Sequence, residues 1–159
     1  ISASASSRAP RSSPRSTPWP PTPCSSAPAL WGETILFSMC ILEEMQWKRT
    51  RYITSADFFH GTLELVEPGV PVFLFMGEDE NRKLDERVRA FLTRGVTGDT
   101  DINIIDTAEF AIPGLDDEFR VIVSPWILSS LITDRLAAYY ETVTKHNLNY
   151  RRYYHQFDY

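Results

Sequence analysis

At 159 residues and 18.2 kDa, with 43% hydrophobic residues, the chain has the length of one domain and enough apolar material to bury a core. Its formal net charge of −5 argues against nucleic acid as the main partner. The longest apolar run, Ile35 to Leu42, is far too short for a membrane span, and the two cysteines, Cys24 and Cys40, have neither metal-site spacing nor a disulfide framework, which predicts a reduced, cytoplasmic setting.

Residues 1–28 hold seven of the eleven prolines, nine serines, three arginines and no acidic residue. Proline removes backbone donors and serine adds no apolar area, so this composition predicts a disordered head. Without it the body carries 13 basic residues against 21 acidic ones, a formal net of −8. The body opens on "WGETILFSMCILEEMQW", which predicts a helix from about Gly32 to Trp47, apolar nearly all round and therefore buried. "RYIT" predicts a short strand. Ser55 is suited to cap a short helix through "DFFH" that breaks near Gly61.

"GVPVFLFMG", bounded by Gly69 and Gly77, is the continuous apolar run that a strand covered on both faces requires. Asp79 can cap the next helix, where Leu84, Val88 and Phe91 share a face and Gly95 closes the end. Ile102–Asp106 predicts another strand. Beyond the turn "IPG", the runs "DDEFRVIV" and "SPWILSSLITDRLAAYYETV" predict two helical pieces, the second capped by Ser124 with Pro125 in its first turn. Strands alternating with helices argue a three-layer αβα, doubly wound parallel sheet. The organisation expected is a head over 1–28, an α/β body over 29–145 and an aromatic tail over 146–159 that docks on the body.

Few residues are placed to carry chemistry. Glu43 and Glu44 are the only charges in the middle of an otherwise apolar helix, and an ionised carboxylate buried without a partner costs several kcal/mol. Either one faces solvent while the other pairs with Lys48 or Arg51, or one is a functional carboxylate. His60, between "FF" and Gly61, is either a satisfied structural group or an acid/base whose neighbouring glycine lets a ligand approach. His146 and His155 lack a second ligand at metal spacing, so no metal site is expected. Neither a G-x-S-x-G elbow nor a glycine-rich phosphate loop is present.

Together, "FSMCILEEMQWKRTRYITSADFFHGTLELVEPGVPVFLFMGEDE" and the closing "YRRYY" resemble the second half of a sugar isomerase (SIS) domain protein, nearest to the fructoselysine 6-phosphate or fructosamine deglycases. More distantly they are similar to the isomerase domain of glutamine:fructose 6-phosphate aminotransferase. The resemblance covers about Leu30 to Tyr159, and its most specific piece is a helix ending in a glutamate followed sixteen residues later by the histidine of an "HG" motif, here Glu44 and His60. It implies Glu44 as the proton shuttle between C1 and C2 of the sugar and His60 as an acid/base assisting ring opening or amine departure. Glu64 is a candidate to orient His60, and Gly61, Arg151 and Tyr153 are candidate substrate contacts.

The implied reaction converts a fructose-amino acid 6-phosphate to glucose 6-phosphate and the amino acid, without metal or organic cofactor. The implied assembly is a homo-oligomer in which the histidine reaches a neighbouring subunit's site. The half that cradles the sugar phosphate is missing from the resemblance, and so is the strand that should precede Trp31, which predicts a truncated form of reduced activity with the "PVFLFM" strand exposed at an edge. A non-catalytic phosphosugar-sensing module and an inactive fragment are the alternatives.

Overall fold

The computed structural model describes residues 21–95, 97–110 and 112–158. Four strands, β1 (Thr22–Ser26), β2 (Thr50–Thr54), β3 (Val72–Met76) and β4 (Ile102–Asp106), form one all-parallel sheet in the order β2-β1-β3-β4. This is the α/β architecture expected, and the apolar run at β3 and "INIID" at β4 lie where their patterns put them.

β1 corrects the expected organisation. "TPCSS" lies in the segment assigned to the head, yet it is a buried strand paired on both sides, with Thr22 opposite Thr50 and Cys24 opposite Phe73. Its serines are not solvated: the Ser25 hydroxyl lies 3.0 Å from that of Ser55, and Thr34 donates to the Ser26 hydroxyl at 2.7 Å. Pro23 is tolerated because the ladder to β3 begins only at Cys24, so at the proline's level the strand has one partner. β3 is therefore interior, between β1 and β4, and no apolar edge is left beside it. The remainder of the predicted head, residues 1–20, lies outside the described residues.

Helical layers cover both faces, and the pleat divides the core in two. On one face Cys24, Phe73 and Phe75 meet Phe37, Ile41 and Leu42 from the first helix and Leu128, Ile132 and Ala137 from the last. On the other, Val72, Leu74 and Met76 meet Phe58, Val88 and Leu92. The first helix begins as α1 (Trp31–Ile35) and continues as a π-helix through Leu36–Met45. Trp47 ends it in the left-handed conformation (φ 55°), the Trp47 and Lys48 N–H groups reaching back to the Glu43 and Leu42 carbonyls. Glycine normally fills such a position; here the indole is engaged by the Arg152 guanidinium, 4.0 Å above its ring, and by the edge of His146 at 4.4 Å.

Downstream of β2 the expected short helix is a pair of 3-10 turns, Phe58–His60 and Thr62–Leu65, parted by Gly61 at φ 144°, a conformation that favours glycine. Ser55 does not cap them, because its hydroxyl is held by Asp85 at 2.6 Å. After β3, α2 (Arg82–Leu92) buries Asp85, Val88 and Leu92 along one stripe.

The two helical pieces expected after "IPG" are one continuous helix, Asp117–Thr144: α3 (Asp117–Ser130), a π segment Leu131–Leu136 and α4 (Ala137–Thr144). Pro125 thus lies inside a helix, where its missing N–H leaves the Val121 carbonyl without its usual donor. The Ser124 hydroxyl donates to that carbonyl at 3.3 Å, replacing the lost bond instead of starting a new helix. By length and composition this helix is apolar enough to cross a membrane, with 22% of its apolar window buried. Leu128, Ile132 and Ala137 face the sheet, while Ile122 and Trp126 are 66% and 77% exposed.

Candidate functional site

The pair of glutamates resolves by partner. Glu43 accepts a hydrogen bond from Thr50 Oγ1 at the start of β2, tying the helix end to the sheet. Glu44, half-buried, meets Arg151 of the tail, Nη2 to Oε1 at 3.0 Å. Neither uses Lys48 or Arg51, the cations expected from spacing. The half-buried Cys40 lies one turn before Glu44; burial first, and the Glu44 charge second, push its thiol up.

The tail reaches Glu44 through a fixed route. Gln46 donates to the His146 carbonyl at 3.0 Å and accepts from Thr144 at 2.7 Å, the Leu148 N–H bonds Glu141, and Leu148 packs on the core. Arg151 Nη1 donates to the Leu148 and Tyr150 carbonyls at 2.5 and 2.9 Å, so its guanidinium is aimed before it meets Glu44. Tyr153 is 68% exposed and touches Phe157 edge-on. The tail therefore docks on the end of the first helix.

His60 is elsewhere. Its residue is exposed, its N–H bonds the Asp57 carbonyl at 2.9 Å, and its ring has no partner among the described residues. Phe58 beside it packs on the sheet face opposite to the one covered by the Glu44 helix. One chain thus does not bring Glu44 and His60 together. Glu64 is exposed and makes no hydrogen bond to His60, and a Cβ at Gly61 would meet open space.

A polar network at the carboxyl ends of the strands was not anticipated. Asp85 is fully buried and accepts from Ser55 Oγ at 2.6 Å and from the Gly77 N–H at 3.1 Å, with the Ala27 N–H also directed at it. It therefore joins β1, β2 and β3 where the strand order reverses, the usual place for a ligand crevice in such sheets. Burial outweighs these hydrogen bonds and pushes its carboxyl up to about 6. The only sequence signal was its position on the stripe of Val88 and Leu92.

Nearby, Arg82 grips Asp106 in a two-point ion pair and Arg120 grips Glu78, closing the ends of β3 and β4. Burial raises Asp106, and the Arg82 hydrogen bonds more than reverse it, holding the carboxyl below its ordinary range. Among the described residues, no group of three or more His, Cys, Asp or Glu is arranged to hold a metal ion. An open apolar depression lined by Phe110, Trp126, Ile127 and Leu131 contains none of the candidate site residues.

No family model matches the chain. Among curated proteins it is 30% identical over 128 residues to fructosamine deglycase FrlB of Bacillus subtilis, covering 79% of this chain and 37% of that protein. It is 35% identical over 116 residues to fructoselysine 6-phosphate deglycase of Escherichia coli, covering 71% and 31% respectively. Among solved structures, one described as a phosphosugar isomerase from Bacillus subtilis superposes with a TM-score of 0.78 at 28% identity, and one from Salmonella typhimurium with 0.77 at 28%, each match covering 88% of this chain and 42% of the other.

A parallel sheet with helices on both faces, matched at this level to phosphosugar isomerases, defines a sugar-isomerase type of α/β protein. These likenesses support an SIS-domain family, as expected from "CILEEMQW" and "FFHG", and the chain spans less than half the length of the curated relatives it matches.

Proposed function

We propose that the chain works on 6-phosphorylated fructosamines, as a cytoplasmic deglycase that releases glucose 6-phosphate and a free amino acid. The observation that carries this reading is Glu44: a half-buried carboxylate on the first helix of a chain similar in sequence to deglycases, held by a single cation on one oxygen. Its other oxygen, Oε2, is the atom proposed to move the proton. Glu44 takes a proton from C1 of the ketoamine to give an enaminol, then returns one to C2, so that the C2 ketone becomes a C1 imine. Water adds to the imine, the nitrogen departs with its electron pair and a proton, and the water oxygen remains on C1 as the aldehyde of glucose 6-phosphate. No step needs an electron carrier.

His60 is proposed as the acid/base for ring opening and amine departure. Its exposure, its unengaged ring and its place on the opposite face from Glu44 suit delivery to a neighbouring subunit in a homo-oligomer. Gly61 would leave room for the substrate beside it, and Tyr153 would border the entrance. General acid–base catalysis contributes on the order of a hundredfold or more. Glu44→Gln is therefore expected to lower release of glucose 6-phosphate from fructoselysine 6-phosphate at least about a hundredfold. Glu43→Gln, whose carboxylate serves Thr50, should leave turnover within about threefold. Equal activity of wild type and Glu44→Gln, read by a coupled assay of glucose 6-phosphate, would refute the assignment.

A further inference from the structure

We propose that Arg151 is a positioning residue for Glu44 rather than a contact for the sugar phosphate: it fixes Oε1 and so presents Oε2 to the reacting carbons. The inference rests on the reading of Glu44 as the proton shuttle. Three observations carry it. Arg151 is the ion-pair partner of Glu44 at 3.0 Å, with side-chain exposures of only 16% and 30%. Its other terminal nitrogen is committed to the Leu148 and Tyr150 carbonyls, so the guanidinium cannot swing to an incoming anion without breaking the tail turn. The turn itself is seated by Arg152 on Trp47, by His146 against the same indole, and by Gln46 on the His146 carbonyl. A flexible carboxylate on a helix end samples several rotamers, and a cation fixed on one oxygen removes that freedom before substrate arrives.

A phosphate-binding arginine would be expected to keep its terminal nitrogens open, and this one commits Nη1 to two backbone carbonyls and pairs Nη2 with Glu44. The tail thus completes a catalytic carboxylate from more than a hundred residues away in sequence, between positions 44 and 151.

The test compares wild type, Arg151→Met and Arg151→Lys in the full chain. With fructoselysine 6-phosphate, Arg151→Met is expected to lower kcat about tenfold with KM within about twofold, and Arg151→Lys to recover part of kcat. A tenfold rise in KM with kcat preserved would overturn the proposal, because that is the signature of lost phosphate binding. A second readout needs no turnover. Cys24 is fully buried, its thiol pushed up by burial to about 12, so alkylation at pH 8 reports on Cys40, one turn from Glu44.

Removing the Arg151 charge leaves Glu44 uncompensated beside Cys40 and should slow alkylation about threefold, a slowing abolished in the Arg151→Met/Glu44→Gln double variant. If Arg151 does not hold the Glu44 charge, its removal leaves alkylation unchanged or faster, which overturns the proposal. If wild type releases no glucose 6-phosphate, the proposed activity fails on its own, and the alkylation rates still decide whether Arg151 holds the Glu44 charge.

Discussion

At the scale of single residues, Asp85 sets the sharpest physical expectation. Its carboxyl is raised to about 6 by burial, against an ordinary value near 4, so folding binds a proton between those values. The stability this group contributes is present at low pH and is lost as pH rises through about 6. Compared with Asp85→Asn, wild type should therefore gain about 2 kcal/mol between pH 7 and pH 4.5, measured as the difference in urea unfolding free energies. An unchanged difference across that range would show that the carboxyl titrates normally.

The sequence named Glu44 and His60 through a family spacing, and left open which of Glu43 and Glu44 had a structural task. Thr50 answers that: a residue seven positions on takes Glu43, and no helical-wheel argument reaches a partner in the next strand. Arg151 was foreseen only as a candidate substrate contact, because a partner a hundred positions away leaves no local pattern. Asp85 was invisible for the same reason, its partners lying on three other elements.

At the scale of elements, apolar runs were legible and polar buried ones were not. β3 announced itself by unbroken hydrophobicity and β4 by its three isoleucines, but β1, as "TPCSS", looks like coil until the hydroxyls of Ser55 and Thr34 are supplied from elsewhere. Burial of a small polar strand is affordable only when each hydroxyl finds a partner, which composition cannot report.

Pro125 misled in the opposite sense. A proline after serine predicts a helix start, yet here Ser124 serves the Val121 carbonyl that the proline ring leaves without a donor, and the helix continues. Ser124→Ala should therefore lower stability by about 1 kcal/mol, and far-UV circular dichroism should show helix lost only with global unfolding. A variant as stable as wild type would mean that the carbonyl finds another donor. Both long helices contain π segments, and in the first of them the widened turn carries Glu44 at its end, next to the left-handed Trp47 on which the tail is seated.

At the scale of the whole molecule, the sheet separates the two groups to which the family resemblance assigns catalysis. Glu44 and the tail share one face, while His60 is exposed beside the other. The proposed activity therefore depends on an assembly, and the exposed Ile122 and Trp126 of the last helix show that this chain leaves apolar surface uncovered. The fold class was legible because strand and helix periods alternate along the chain; the division of the site between faces was not, since it depends on strand order, which no local pattern specifies.

The chemistry is tested most directly in heavy water, by following C2 of the glucose 6-phosphate released from fructoselysine 6-phosphate with proton NMR. If Glu44 carries the hydrogen between carbons, product from the wild-type chain keeps at C2 part of the protium taken from C1, and Glu44→Gln forms product at least about a hundredfold more slowly. Product fully deuterated at C2, or formed at the same rate by both proteins, would contradict the account.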